Sequence, residues 1–413
     1  MNKKVVLAYS GGVDTSVAIK WIPEKYNMDV ITVTVDIGNV PDLEAIRQKA
    51  EKMGAIKAVV VDARRTFIED YCWPALQADA LYEGKYPLAT ALGRPLIARI
   101  MAETAIENGA DAVSHGCTGK GNDQVRFDLG ITTLAPGTEI IAPAREWGMT
   151  REDTIAYAQQ NNIPIPVSSK SPYSIDENLW GRAVECGVLE DPWNEAPEDA
   201  FIWVKSPDQT PDKPTYIEIE FEQGIPTALN GNKIDGVTMV NQLNTIAGSN
   251  GVGRIDHIEN RLIGIKSREV YEAPAALVLL QAHLALEELT LTKQQLSFKQ
   301  HVAMEYADMV YNGLWFSAMH QDLAAYVRST QRFVSGKIRV KLYKGTSTVT
   351  GRSSPYSLYS HSLATYDEGD TFDQKNAVGF IHLWGLPVQT QFHLQSLSDS
   401  GSHLKSMKGL KRS

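Results

Sequence analysis

The fold of the amino-terminal region is set by the stretch Val5-Val6-Leu7-Ala8-Tyr9-Ser10-Gly11-Gly12-Val13-Asp14-Thr15-Ser16. Its apolar first half is typical of a buried parallel strand, and the two adjacent glycines allow a sharp turn into a helix that continues through Trp21. Free backbone N–H groups and the helix dipole at such a helix start attract an anion. The hydroxyl groups of Ser10, Thr15 and Ser16 add further donors. The stretch therefore predicts a phosphate-binding loop.

Asp14 stands inside this loop, where its carboxylate would repel bound phosphates unless a cation lay between them. Carboxylate oxygens are good ligands for Mg²⁺, so we expect Asp14 to bind this metal. A plain strand–helix turn capped by Asp14 or Thr15 is the structural alternative, but the full SGGVDTS string is more specific than a bare Gly-Gly pair. Two other phosphate motifs fail, because no GxxxxGK[ST] is present and Asp256 replaces the last glycine of a GxGxxG that begins at Gly251.

The chain up to about residue 168 alternates apolar strands with helical stretches. The predicted strands are Val5–Tyr9, Val30–Val35, Ile56–Val61 and Ala112–His115, and later helices are predicted at Leu43–Met53 and Pro95–Glu107. This alternation predicts an α/β fold, a doubly wound parallel sheet with helices on both faces. Sheets of this kind bind ligands at the carboxyl ends of their strands. We therefore interpret residues 1–168 as a nucleotide-binding domain.

Residues 169–388 predict a second, α+β domain with C-terminal helices. Proline, serine and acidic residues recur over 166–214, which predicts an irregular surface connection. The later predictions are a strand at Thr215–Phe221, turns at Asn230-Gly231 and Asp235-Gly236, helices at Pro274–Leu289 and Thr292–Ala318 with a further helix to Phe333, and a strand pair at Lys337–Tyr343 and Ser347–Gly351. Residues 389–413 are polar and predict a mobile C-terminal tail.

Bulk composition narrows the functional class. The 413 residues carry a net charge of −9, which weighs against a nucleic-acid backbone as the main partner. Three cysteines without a CxxC pair fit a reducing cytoplasm better than a disulfide framework. The apolar run at Ala275–Leu286 is too short for a membrane span of about 20 residues. We expect a cytoplasmic protein with neither a membrane nor a nucleic-acid partner.

A second glycine-rich segment follows the predicted strand at 112–115. It is Ser114-His115-Gly116-Cys117-Thr118-Gly119-Lys120-Gly121-Asn122-Asp123-Gln124-Val125-Arg126-Phe127. Because it follows a strand of the same sheet, we expect it at the same edge as the phosphate loop. Thr118, Asn122, Asp123 and Arg126 suit an amino acid, since a carboxylate can hold its ammonium and a guanidinium its carboxylate. A surface loop whose charges pair with each other is the alternative.

These strings resemble two nested groups of proteins. SGGVDTS after the first strand is similar to the loop of the N-type ATP pyrophosphatases, which cleave ATP between the α- and β-phosphates. SHGCTGKGNDQVRF resembles the signature of the argininosuccinate synthase family within that group. The resemblance continues through Tyr82–Thr90, Ser171–Leu179, Gly251–Asp256, Glu259–Arg261, Lys266–Glu272 and Arg352–Tyr359. It implies ATP-dependent ligation of citrulline and aspartate, through a citrullyl-adenylate, with release of AMP and pyrophosphate.

The resemblance also implies which residues bind each substrate. ATP would be held by Ala8, Tyr9, Ser10, Gly11, Gly12, Val13, Asp14, Thr15 and Ser16, with Val35 and Gly116. L-aspartate would be held by Thr118, Asn122 and Asp123, and L-citrulline by Tyr86, Thr90, Asn122, Arg126, Ser174, Glu259 and Tyr271. Asp14, Asp123 and Arg126 would carry the chemistry, with Asp14 on the metal.

Two positions depart from the family pattern, since alanine stands at 91 and 183 where many relatives place a serine against citrulline. The family also implies a homotetramer joined in part by a C-terminal helix, whereas the sequence after about Val388 does not look like the expected family ending.

Two other functions are compatible with the phosphate loop alone. One is a different adenylating synthetase, such as a tRNA thiolase, which would be expected to carry extra cysteines or a basic RNA-binding domain. The other is a nucleotide-binding protein without catalysis, such as a sensor or flavin carrier. The second would not require Thr118, Asn122, Asp123 and Arg126 together.

Overall fold

The computed structural model describes residues 2–164 and 173–395. The predicted domain boundary at 168/169 and residues 396–413 of the predicted tail lie outside these ranges. The chain divides into two compact units between residues 358 and 359.

A parallel five-stranded sheet in the order β3-β2-β1-β4-β5 organises the amino-terminal region. Its elements in chain order are β1 (Lys3–Ala8), α1 (Val13–Tyr26), β2 (Met28–Asp36), α2 (Leu43–Lys52), β3 (Lys57–Asp62), α3 (Arg64–Thr66), a π-helical turn (Phe67–Cys72), α4 (Trp73–Gln77), α5 (Ala89–Asn108), β4 (Ala112–Ser114), α6 (Asp123–Leu134), β5 (Glu139–Ile141), α7 (Pro143–Glu146) and α8 (Arg151–Gln160). The chain runs outward from β1 to β3 and then returns to β4 on the other side of β1. The carboxyl ends of β1 and β4 therefore flank the topological switch point.

Both faces of this sheet are buried. Val6 and Ile31 pack into one apolar cluster with Leu92 of α5. Val5, which points to the opposite face, packs into a second cluster with Ile19 of α1. Alternate residues of one strand thus enter different cores, as expected for a parallel sheet covered on both sides. The predicted doubly wound sheet is confirmed.

Two antiparallel sheets and a set of helices follow. The elements are β6 (Ser174–Asn178), β7 (Gly181–Glu185), β8 (Thr215–Glu222), β9 (Ile225–Leu229), β10 (Asn232–Lys233), α9 (Gly236–Ser249), β11 (Arg254–Asn260), β12 (Lys266–Glu272), α10 (Pro274–Thr290), α11 (Lys293–Tyr311), α12 (Ala318–Thr330), β13 (Gly336–Tyr343) and β14 (Thr346–Ser353). One sheet has the order β11-β12-β7-β6 and the other β10-β9-β8-β13-β14. The predicted α+β architecture of this part is confirmed.

The predicted helix Thr292–Ala318 is wrong, because α11 ends at Tyr311. Gly313 has a φ of 77° and donates its N–H to the Val310 carbonyl, while Leu314 donates to the Met309 carbonyl. These two bonds form a Schellman motif, which closes a helix at a left-handed residue. The turn lets the backbone pass close to α6, since a Cβ on Gly313 would lie 3.0 Å from the Arg126 Cα.

Two further predictions need correction. The described part of 166–214 is not wholly irregular, because β6 and β7 form a hairpin that pairs with β12 through β7. The predicted turn at Asp235-Gly236 is instead the start of α9, where the Asp235 carboxylate accepts a hydrogen bond from the Thr238 N–H at 3.0 Å. A turn and a helix start use the same residue types, so the dipeptide alone did not distinguish them.

The carboxyl-terminal unit contains α13 (His361–Ala364) and α14 (Asn376–Gln395). Residues 389–395 of the predicted tail complete α14. Over the described ranges, none of the helices has both the length and the apolar character needed to cross a membrane.

Candidate functional site

The phosphate loop connects β1 to α1 at the switch point. Gly11 has a φ of 78°, and a Cβ there would lie 3.0 Å from Ile46, so only glycine fits without strain. Gly12 is the N-cap of α1, and the Ser10 hydroxyl lies 3.2 Å from that of Thr15. The loop thus presents backbone N–H groups and hydroxyls at a helix start, as an anion site requires.

Two neighbours stabilise this loop from outside the predicted motif. Lys49 of α2 donates to the Gly11 carbonyl at 2.8 Å, and Thr34 of β2 donates to the Tyr9 carbonyl at 2.8 Å. Val35 follows Thr34 and is buried at the same sheet edge. Lys49 was missed by sequence reasoning because a lysine in an exposed-looking helical stretch carries no local signal.

His115 fixes the start of the second loop to α6. Its Nδ1 accepts from the Cys117 N–H at 3.2 Å, so Nε2 carries the hydrogen that bonds Asp128 Oδ1 at 2.7 Å. A Cβ on Gly116 would lie 3.2 Å from Thr15 Cγ2. The two glycine-rich loops are therefore in contact, as the strand order requires.

All nine residues predicted to bind the amino acids line one pocket with a cavity volume of about 180 Å³. They are Tyr86, Thr90, Thr118, Asn122, Asp123, Arg126, Ser174, Glu259 and Tyr271. Ala183 lines the same pocket, whereas Ala91 is buried in the core. The pocket is bordered by α5, the second loop, α6 and the four-stranded sheet.

One wall of the pocket is an ion-pair network at the start of α6. Asp123 Oδ1 accepts from Arg126 Nη1 at 2.7 Å, and Asp123 Oδ2 lies 2.7 Å from Arg94 Nη2, which also bonds Asp176. Burial by itself would raise the pKa of Asp123, but the two guanidinium groups outweigh it and lower the pKa to about 2. Asp123 is therefore a carboxylate at neutral pH.

Arg126 is held in place on two sides. Its Nε donates to the Tyr311 carbonyl at 2.9 Å, and its Cζ lies 4.9 Å from the centre of the Tyr311 ring. Its Nη2 is buried without a hydrogen-bond partner among the described residues. A buried guanidinium nitrogen with no protein acceptor, at the edge of a pocket, is suited to a substrate carboxylate.

The opposite wall contains tyrosines and carboxylates. Tyr311 donates to Glu259 Oε1 at 2.6 Å and accepts from the Asn122 side-chain amide at 2.7 Å. The Tyr271 hydroxyl lies 2.6 Å from Glu259 Oε2 and 2.9 Å from Glu269 Oε2. Because the Asn122 Oδ1 accepts from the Leu262 N–H at 3.0 Å, Asn122 ties the second loop to this wall.

Several pocket residues were missed by sequence reasoning. They are Asp176, Glu185, Arg261, Glu269 and Tyr311, and Arg94, which pairs with the pocket residue Asp123, was missed as well. Arg261 and Glu269 stand within strings that carry the family resemblance, so a signal was present. Tyr311 belongs to none of these strings and fell within a predicted continuous helix.

A second cluster of ionisable groups lies away from this pocket. Asp79, His283 and Glu287 bring three possible metal-ligand atoms close together in the described structure. However, the Lys299 ammonium lies 2.9 Å from Glu287 Oε1 and also bonds Asp79. The protein therefore supplies its own cation at this cluster, which fits a structural role.

The chain matches two family models. Residues 4–164 match the arginosuccinate synthase N-terminal HUP domain, and residues 173–391 match the arginosuccinate synthase C-terminal domain. The second match reaches three residues past Val388, so the family-like sequence extends further than expected.

Similar proteins named argininosuccinate synthase cover nearly the whole chain. The one from Dehalococcoides mccartyi strain 195 is 61% identical over 98% of this chain and 100% of its own length. Those from Dictyoglomus turgidum and Gloeobacter violaceus are each 60% identical, over 93% and 94% of this chain and 96% and 98% of their own lengths. With both family models and these full-length relatives in agreement, the chain belongs to the argininosuccinate synthase family.

Proposed function

We propose that this chain joins L-citrulline to L-aspartate at the expense of ATP, forming argininosuccinate, AMP and pyrophosphate, with the two glycine-rich loops and the adjoining pocket as its active site. Membership of the argininosuccinate synthase family supports the reaction. The observation that carries the assignment of the site is that all nine residues predicted for the amino acids line one pocket. The second loop, which contributes Thr118 to this pocket, contacts the phosphate loop through Gly116 and Thr15.

ATP is assigned to the residues around the switch point. They are Ala8 to Ser16, Val35 and Gly116, with the pyrophosphate portion at the start of α1. Asp14 is exposed in the first turn of that helix, and its carboxylate suits Mg²⁺ next to phosphates. When bound there, Mg²⁺ would neutralise phosphate charge.

Citrulline is assigned to the pocket between Arg126 and the tyrosine wall. Its carboxylate suits the unpaired Nη2 of Arg126, and its ammonium suits Glu259. The other residues assigned to citrulline are Tyr86, Thr90, Ser174 and Tyr271. Asn122 already uses one N–H and one lone pair within the protein, so one of each is left for substrate.

Aspartate is assigned to Thr118, Asn122 and Asp123. The low pKa of Asp123 keeps a carboxylate facing the pocket, which can hold and orient an ammonium. Arg94 has the role of a positioning residue, because it fixes Asp123 from the side opposite Arg126.

The chemistry follows in two steps. The ureido oxygen of citrulline attacks the α-phosphorus, the α–β bridging P–O bond breaks, and pyrophosphate leaves. The deprotonated amine of aspartate then attacks the ureido carbon, whose C–O bond to phosphate breaks and releases AMP. Positioning and charge neutralisation dominate the first step, since the pocket residues hold the oxygen beside the phosphate loop.

Exchange of labelled pyrophosphate into ATP tests this function directly. We expect exchange that depends on citrulline and does not require aspartate, because the adenylate forms before aspartate reacts. Exchange without citrulline, or none with it in an enzyme that synthesises argininosuccinate, would contradict the proposed order. A tRNA substrate should have no effect.

Oxygen labelling tests the adenylate itself. With ¹⁸O in the ureido group of citrulline, we expect the label in AMP, because that oxygen becomes a phosphate oxygen when the C–O bond breaks. Mass spectrometry of the separated products measures it. Label in pyrophosphate, or label kept in argininosuccinate, would rule out this route.

We further propose residues 1–168 and 169–388 as two domains and a cytoplasmic homotetramer as the working assembly. Three unpaired cysteines, Cys72, Cys117 and Cys186, support the compartment. Exposed apolar side chains on α14, including Phe380, Ile381 and Trp384, support an assembly that covers them. Light scattering on purified protein measures the subunit number.

A further inference from the structure

Three carboxyl groups share the tyrosine wall of the pocket with one guanidinium. Glu259 comes from β11, Glu269 from β12 and Glu185 from β7, while Arg261 follows β11. Arg261 bonds Glu185 and lies 3.1 Å from Glu269 Oε1. If all three carboxyls were ionised, this wall would carry a net charge of −2, an unfavourable state for a largely buried group.

Hydrogen counting shows where a proton can reside. Glu259 accepts from two phenols, since Tyr311 and Tyr271 lie 2.6 Å from its two oxygens. The Tyr271 hydroxyl has a single hydrogen, which that bond uses. The Tyr271 oxygen also lies 2.9 Å from Glu269 Oε2, and no phenol hydrogen is left for this contact. The contact is a hydrogen bond if Glu269 is a carboxylic acid, which then donates its hydrogen to the phenol oxygen.

The electrostatics of the wall agree with this count. Burial, followed by the charges of Glu259 and Glu185, raises the pKa of Glu269 to about 8, against the opposing effect of Arg261. Burial also raises the pKa of Tyr271 well above its usual value, so Tyr271 remains a neutral donor. Other titratable or charged groups also line the pocket. On the tyrosine side these are Tyr86, stacked on Tyr271 at 4.3 Å, and Tyr311 with Arg126 beyond it, and on the α6 side they are Cys117, Asp123 and Asp176.

We propose that Glu269 is a proton-linked specificity residue for the amino-acid substrate held at this wall: it is protonated in the empty pocket and loses that proton when the ammonium group of the substrate binds beside Glu259. The inference rests on the proposed function, which places citrulline here. The arriving ammonium supplies a positive charge, so the acid form of Glu269 is no longer favoured. The proton passes to solvent, and the Glu269 carboxylate becomes a second anionic partner for the ammonium.

This linkage also gives the sign of the pH dependence. Below a pH of about 8 the free pocket holds the proton and must release it on binding, so citrulline affinity should rise as pH increases toward 8. Above that pH Glu269 is already ionised, and affinity should level off. An analogue of citrulline that lacks the ammonium should bind with no proton release.

Calorimetry at pH 7 tests the proposal on the whole enzyme. Citrulline is titrated in the presence of α,β-methylene ATP in PIPES and in imidazole, two buffers with different ionisation enthalpies. We expect the binding enthalpies in the two buffers to differ by the difference between the buffer ionisation enthalpies, multiplied by about one proton released per citrulline. The factor is about one because the free carboxyl is mostly protonated at this pH. Glu269→Gln, which keeps a donor for Tyr271, should bind about tenfold more weakly and show no buffer dependence.

Glu218→Gln, on the unrelated antiparallel sheet, is the matched control and should behave like the wild type. Equal binding enthalpies in the two buffers for the wild type would overturn the proposal without any variant. Undiminished proton release by Glu269→Gln would also overturn it. Absence of citrulline binding, together with absence of citrulline-dependent exchange, would instead overturn the proposed function on which it rests.

Discussion

Replacing Arg126 by alanine should abolish both citrulline-dependent exchange and argininosuccinate synthesis, each by more than about a hundredfold. The guanidinium is buried, and breaking a buried ion pair on one side costs about 3–5 kcal/mol. At about 1.4 kcal/mol per factor of ten, this exceeds two orders of magnitude. Both steps fail because citrulline is needed in each. Initial rates of exchange and of synthesis measure the effect.

Replacing Asp123 should reduce argininosuccinate synthesis much more than citrulline-dependent exchange. Asp123→Asn keeps an oxygen for Arg126 Nη1 but loses the charge assigned to the aspartate ammonium. We therefore expect synthesis to fall about a hundredfold while much of the exchange remains. Asp123→Ala should lose more exchange than Asp123→Asn, since both Arg94 and Arg126 then lose a partner.

A control separates these effects from unfolding. Arg339→Ala removes an arginine that pairs with Glu218 on the surface of another sheet, and should leave both activities unchanged. Thermal unfolding of all variants shows which of them remain folded. Equal loss of exchange in folded Asp123→Asn and Arg126→Ala proteins would show that the assignment of the loop to two substrates is wrong.

Asp14→Ala should lower adenylation by more than about a hundredfold while the fold is retained. Loss of charge neutralisation by a metal is worth several kcal/mol. In contrast, the acidic group in the first turn of α1 contributes only about 0.3–1 kcal/mol to the helix. Citrulline-dependent exchange measured over a Mg²⁺ titration gives the effect, and circular dichroism gives the fold.

Glu152→Ala is the matched control, because Glu152 is also an exposed acidic residue in the first turn of a helix, α8. It should show normal exchange. Turnover close to the wild-type rate by Asp14→Ala at ordinary Mg²⁺ concentrations would exclude the metal role of Asp14.

The features predicted from sequence were those set by local rules. Adjacent glycines between a β-branched run and a helical stretch specify one kind of loop, so the phosphate loop and the parallel sheet followed from residues 5–16 and the alternation after them. Of the nine residues assigned to the amino acids, Thr118, Asn122, Asp123 and Arg126 were suggested by their chemistry, and the other five came from the resemblance alone. That all nine line one pocket is a property of the fold.

What sequence reasoning missed depends on long-range contacts or on an overlooked stop signal. Because α11 ends at Tyr311, the carbonyl of this residue is available to accept from Arg126 Nε, while its hydroxyl bonds Asn122 and Glu259. The signal was Asn312-Gly313, a C-cap pair that the long apolar pattern obscured. Glu269 stood within a string that carries the resemblance, but nothing in that string indicated its protonation, which depends on Glu185 and Glu259 from other strands.

The late position of Tyr311 in the chain has a consequence for synthesis of the protein on the ribosome. All the residues assigned to ATP are present once residue 116 has been added, but the citrulline wall requires Glu259, Tyr271 and finally Tyr311. At about 5–20 residues per second, the intervening stretch takes about 10–40 s to translate. During that interval the nascent chain contains all the residues assigned to ATP but lacks part of the pocket assigned to citrulline.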